Sequence, residues 1–328
     1  MRRQGHIQQR GRNSWRLKFA VAGKEKYVTV KGSKADAQNE LNKLLAAVAT
    51  NTFTDPSQMT VAVYVADYLD SARDLSAKTL ERYRELFTRQ IAPHLGDVKI
   101  QRLTVEGIRA WHASLSDTKL SARTIGHAHR LLRTVLGQAV RAGTLGRNVA
   151  SLQAPPKAED REIEIIPADE LSAFLTQLWG SPLCAIAIVA LFTGLRRGEI
   201  LGLQWGDVDL DSKPPTLRVE RSLEETRAGL KLKNPKTKRS RRKLVLPPEA
   251  VEVLRARKVE LMQLRLVTGE GAIKPDTYVF SNANGGPLSP DNMSRDWGRW
   301  IRSHPDLSQD QLSRFKAYPR QHVTGGGD

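Results

Sequence analysis

Sulfur and aromatic residues are scarce in this 328-residue chain, which has one cysteine, four methionines and 6% aromatics. A lone thiol, Cys184, cannot form an intrachain disulfide or a cysteine-based metal cluster. Its place in the run Leu183-Cys184-Ala185-Ile186-Ala187-Ile188-Val189-Ala190-Leu191 predicts a small core residue. That run is also too short to span a bilayer, which takes about 20 apolar residues. Arg2-Arg3 is followed by no apolar segment, so the start does not read as a secretion signal. A cytoplasmic protein with no membrane partner is expected. Acidic residues are the other deficit, with 35 against 52 Lys and Arg and a formal charge of +17.

So large a basic excess fits a polyanion partner, because each cation near a phosphate releases condensed counterions. On charge alone, a ribosome-associated or otherwise cationic protein and a membrane-surface binder stay open. Hydrophobic residues make up 40%, and the length suits two or three compact domains.

Three segments follow from the patterning. In residues 1–53, Trp15, Leu17, Phe19 and Val21 alternate with Arg16, Lys18 and Ala20, which predicts a half-buried strand. Tyr27–Val30 returns as a second strand, and residues 5–10 offer a third. Ser33 opens a helix with Asp36 as capping-box partner and Leu41, Leu44, Leu45 and Val48 inward. Arg10, Arg12, Arg16 and Lys18 make this unit basic; a solvated face and a phosphate-contacting face are equally open readings. Residues 54–153 read as four helices, three of them started by Ser76, Thr104 and Ser121. Pro93, Leu95-Gly96 and Asp97 are expected to break the second. Ala154-Pro155-Pro156-Lys157 is a linker, and residues 158–328 mix helices with short strands.

Two stretches carry possible chemistry. In Thr193-Gly194-Leu195-Arg196-Arg197-Gly198-Glu199 an apolar helix ends, a second begins, and arginine sits on the turn between. A guanidinium fork suits two phosphate oxygens and the charge that builds on a pentacoordinate phosphorus. An ordinary helix junction fits the pattern as well. In Lys231–Pro247 basic residues crowd a segment flanked by strands, which predicts a β-hairpin. A lysine there can protonate a leaving oxygen, but a basic surface loop is the simpler reading from composition.

Together the two stretches resemble the boxes of the tyrosine recombinases of the phage-integrase type. Thr193-Gly194-Leu195-Arg196 with Glu199-Ile200-Leu201 and Leu203-Gln204-Trp205-Gly206-Asp207 is similar to the family's first arginine box. Pro235-Lys236-Thr237, Ser240, Arg242 and Leu244-Val245-Leu246-Pro247 resemble its catalytic-lysine segment. Val279-Phe280-Ser281 and Gly286-Pro287-Leu288-Ser289 resemble the approach to its second arginine box. The resemblance spans roughly residues 5–315. It implies an α+β protein, mainly helical with small sheets. An arm-type DNA-binding domain of three strands and a helix would come first, a helical SAM-like core-binding domain second and a mixed catalytic domain third.

By the same resemblance Arg196 clamps the scissile phosphate, Glu199 supports it and Lys236 is the general acid. Arg10, Arg12, Arg16, Lys18, Arg123, His127, Arg130, Lys238, Arg239, Arg241 and Arg242 are expected to contact DNA. No metal or other cofactor is implied, because a tyrosine stores the bond energy as a phosphotyrosine. The partner is double-stranded DNA, on which the family forms a tetramer.

The family's His-x-x-Arg box has one sequence match, His127-Ala128-His129-Arg130, which lies before Arg196 and out of order. Where the box belongs, Phe315-Lys316-Ala317-Tyr318-Pro319-Arg320 puts Lys316 and Pro319 in the two key places. Tyr318 is too early for the family's nucleophile, and none is identified. The expectation is a catalytic domain lacking its C-terminal part, with strand cleavage lost. A catalytically inactive DNA-binding remnant or regulator is the alternative.

Overall fold

The computed structural model describes residues 5–50, 53, 58–159, 168–234 and 241–304. Lys236, Lys238, Arg239 and the Phe315–Arg320 stretch lie outside the described residues. The chain divides into two compact units, Met1–Asp160 and Arg161–Asp328. The architecture is mainly helical with small antiparallel sheets, as the resemblance implies.

The first unit begins with an antiparallel sheet in the order β1 (His6–Gly11), β2 (Ser14–Val21), β3 (Lys24–Lys31). Helix α1 (Lys34–Ala49) follows, capped as expected: the Asp36 N–H reaches the Ser33 hydroxyl, and the Ser33 N–H reaches the Asp36 carboxylate. Leu17 and Phe19 pack against Ala37, Leu41 and Val48 to form the core. Register puts Trp15, Leu17 and Phe19 on that side and turns Arg16 and Lys18 to the other, beside Thr29 and Tyr27.

The helical part has its own core. It comprises α2 (Val61–Ser71), α3 (Ala77–Leu86), α4 (Ala92–Leu95), α5 (Val105–Asp117) and α6 (Ala122–Arg141). Hydroxyls of Thr60, Ser76, Thr104 and Ser121 each accept a backbone N–H in the following turn. Pro93 does not break its helix. A π-helical turn over Phe87–Ile91 joins α3 to α4, with the Ala92 N–H reaching back to the Phe87 carbonyl. The wider turn shifts the preceding carbonyls and lets the chain pass through a residue that has no N–H to donate. The helix stops at Gly96, another of the expected breakers.

Between α5 and α6 lies a pair that the sequence patterning does not reveal. His112 Nε2 and His129 Nδ1 are 3.1 Å apart and buried. Burial, then the neighbouring His112, push the His129 pKa down to about 4, with Arg133 adding to the effect and the Ala150 backbone opposing it. Burial also lowers that of His112. Both rings are therefore neutral in the folded state at pH 7, while an unfolded chain takes up protons near pH 6.5. Stability is full above that pH and falls as the pH drops toward 4. Thermal unfolding of the first unit should show this loss, and His129→Gln should flatten it. A melting temperature indifferent to pH between 6.5 and 4 contradicts the assignment.

The second unit contains α7 (Ala168–Leu178), α8 (Cys184–Thr193), α9 (Arg197–Leu201), α10 (Pro248–Thr268) and α11 (Pro290–Arg302). Its strands are β4 (Val208–Asp209), β5 (Thr216–Val219), β6 (Ser222–Thr226), β7 (Gly229–Lys233) and β8 (Arg242–Val245). The hairpin expected from Lys231–Pro247 is not one. Strand β7 pairs with β6, and β8 pairs with β5, so the basic segment connects two sheets. The tight Thr226–Gly229 turn folds β7 back onto its sequence neighbour β6, while β8 extends the sheet of β5. Cys184 is half-buried rather than a full core residue, because it opens α8 at the margin of a smaller cluster around Phe174 and Trp297.

Candidate functional site

Helix α8 ends at Gly194, whose φ of 63° is a left-handed conformation that glycine adopts readily. Leu195 then drops into the core at 1% exposure and anchors the turn. Arg196 follows as the N-cap of α9, with its side chain 68% exposed. The anchored backbone and exposed side chain hold a cation out to solvent from a fixed base.

Glu199 is the base's fixed charge, 5% exposed at the side chain. It accepts the Arg196 backbone N–H at 3.0 Å and the Arg196 Nη1 at 2.9 Å. It also accepts Arg242 Nη2 at 2.9 Å and Nη1 at 3.3 Å. Burial works to raise the Glu199 pKa, but the bonds from Arg242 and from the Arg196 backbone and guanidinium outweigh it. The carboxyl is held below its usual range.

The adjacent arginines have opposite assignments. Arg197 donates to the Pro290 carbonyl at 2.9 Å and to the Ser294 hydroxyl, and lies 3.8 Å from Asp291. It ties α9 to the start of α11. Glu225 of β6 meets the same helix start, accepting from the Ser289 hydroxyl and the Asp291 N–H. Glycine brings α9 close to β6: a Cβ on Gly198 would lie 2.6 Å from the Leu223 carbonyl oxygen. The arginine turn and the β6–β7 hairpin are thus one packed body.

The other expected DNA-contacting residues are placed as follows. Arg10 and Arg12 are exposed at the β1–β2 end of the first sheet. Arg16 and Lys18 lie 5.5 and 6.0 Å from the centroid of the half-exposed Tyr27 ring on the sheet face away from α1. Lys18 also pairs with Glu25. Arg123, His127 and Arg130 are exposed along one stripe of α6, and Arg130 reaches His127 Nδ1 at 2.9 Å. Burial, then Arg130, Arg82 and Arg123, depress the His127 pKa. Arg241 is exposed, 3.9 Å from Glu220, whereas Arg242 turns inward to Glu199.

A family model for the phage integrase N-terminal SAM-like domain matches residues 60–116, within the helical part. An integrase of Streptomyces ambofaciens is 29% identical over 309 residues, covering 90% of this chain and 76% of that protein. A XerC-like tyrosine recombinase of Caldanaerobacter subterraneus is 25% identical, covering 80% of this chain and 71% of that one. The fold is shared with the Tn1549 transposon integrase solved in complex with a circular intermediate DNA. That match has a TM-score of 0.66 at 19% identity and covers 79% of this chain and 85% of the other. Over most of its length the chain is similar to integrases and tyrosine recombinases. Among the described residues no helix is long and apolar enough to cross a membrane.

Proposed function

We propose that the protein binds duplex DNA and serves site-specific recombination or integration, in the cytoplasm, with Arg196 gripping the phosphate at the exchange point. The observation that carries this reading is an exposed guanidinium anchored at its backbone and on a buried carboxylate. Such a fork is preorganised for an anion and loses little freedom on meeting one. Lys236 is the general acid of the same reading. No protein-derived metal site or nucleotide is invoked, and assembly on DNA follows the family's tetramer.

The domains divide the binding. Residues 1–53 form the arm-type module, which uses the sheet face of Arg16 and Lys18 and the flanking Arg10 and Arg12. Residues 54–153 form the core-binding module, which uses the α6 stripe. Residues 158–328 hold the phosphate site.

Competition binding at matched salt tests the proposal. A duplex selected by the protein from a random library should bind at least about 10³-fold more tightly than random duplex. Equal affinity for both would reduce the chain to a generic cation. Replacing Arg16 and Lys18 by alanine should weaken binding and lower the salt slope by about 0.9 per lost phosphate contact. On a nicked suicide duplex, a covalent protein–DNA adduct assigns the nucleophile to this chain. Bound DNA without an adduct assigns it the role of occupying sites without cutting.

A further inference from the structure

We infer that Arg242 is a positioning residue for Arg196, acting through Glu199 rather than by touching DNA. The inference rests on the proposed role of Arg196 at a phosphate. Strand β8 brings Arg242 to α9 across 43 positions of sequence. Its Nη1 and Nη2 both lie within hydrogen-bonding distance of the Glu199 carboxylate, and its side chain is 28% exposed. Arg196 offers that carboxylate one guanidinium nitrogen and is 68% exposed. The two arginines therefore divide the work. Arg242 is turned inward onto the buried charge, and Arg196 is steadied by it while its fork stays turned to solvent.

Charge explains why two cations are needed. A buried carboxylate must be compensated. With Arg196 as its sole guanidinium, Glu199 would draw the whole fork inward and cancel its charge. With Arg242 present, the three side chains sum to one positive charge, displayed at Arg196. Arg242→Gln should therefore impair Arg196 specifically, and removing the carboxylate's charge as well should release it.

The test measures affinity and salt slope on the library-selected duplex, using full-length protein. Arg196→Ala should weaken binding about tenfold and lower the salt slope by about 0.9. Arg242→Gln should weaken it comparably, and Arg242→Lys, which keeps charge without the fork, should fall between. Adding Arg242→Gln to Arg196→Ala should change affinity less than about twofold, because the two act through one contact. Adding Glu199→Gln to Arg242→Gln should recover most of the loss, a result that a merely structural role does not give. A further tenfold drop and a second loss of slope in the Arg196→Ala background overturn the inference, because Arg242 then grips a phosphate itself.

The Arg196 Nε–H resonance of the DNA-free protein provides a second readout. It should shift in Arg242→Gln and return toward its place in Arg242→Lys, whose folded state guards against a variant that fails to fold. An unmoved resonance overturns the inference. A moved resonance with Arg196→Ala binding as the unmodified protein does upholds the positioning and removes the phosphate reading alone.

Discussion

Glu199→Ala is expected to destabilise the second unit by about 3–5 kcal/mol, the range for breaking a buried ion pair from one side. The carboxylate is nearly inaccessible, and four hydrogen bonds converge on it. Alanine leaves the Arg196 backbone N–H without its acceptor and takes the paired carboxylate from the largely buried Arg242. The helix start loses its favourable negative charge as well, worth a further few tenths to 1 kcal/mol. Glu199→Gln keeps the shape and one carbonyl acceptor, so it should cost less than the alanine. Denaturant unfolding followed by tryptophan fluorescence separates the outcomes. A loss under about 1 kcal/mol for the alanine would mean that the cluster behaves as a solvated surface pair. Because the folded pKa is depressed, this contribution is present at neutral pH and is lost as the pH falls through that lowered value.

Gly198→Ala is expected to destabilise the same unit by about 2 kcal/mol, although alanine is the better helix former. The propensity gain is at most about 1 kcal/mol. Against it stands a Cβ placed 2.6 Å from both the Leu223 carbonyl oxygen and the Ser222 hydroxyl. The hydroxyl can rotate away, but the backbone oxygen moves only with its strand, and overpacking of this kind costs about 1–3 kcal/mol or more. Gly202→Ala meets its nearest atoms at 3.1 Å and should be milder. The functional effect should exceed the loss of stability. On the proposed reading of Lys236 as general acid, strand β7 leads directly into the sequence segment that holds it, and misplacing a reacting group by 1 Å can cost about 10²-fold in rate. Any strand cleavage, read on the suicide duplex, should fall well below what the folded fraction accounts for. Wild-type stability in Gly198→Ala would contradict the close approach.

The features legible in sequence are those written within a turn or two of chain. Ser33 with Asp36, and the hydroxyls at Ser76, Thr104 and Ser121, announce helix starts because capping is local. The alternation through Trp15–Val21 gives the strand and its buried face. Arg196 and Glu199 are three residues apart, so their pairing is readable as well.

What escaped depends on distant partners or on context. Nothing near Arg242 says that its carboxylate lies 43 residues earlier, so it reads as one more basic residue in a basic segment. The β6–β7 hairpin is masked because charged residues interrupt Leu223, Leu230 and Leu232. Its available signal was the Ala228-Gly229 turn, with Gly229 at a φ of 109°. His112 and His129 sit on different helices, and neither spacing nor composition pairs them. Pro93 is a breaker in isolation and is passed only because the turn before it widens.

The back-to-back assignment of Arg196 and Arg197 also bears on how this protein tolerates change. Gaining one residue between Gly194 and Arg197 would shift the turn against α9 and undo the arginines' division of direction, while leaving net charge and helix content almost untouched. Such a variant would purify, fold in outline and stick to polyanions much as before. The division of labour at this turn therefore depends on the loop's length as strictly as on its composition.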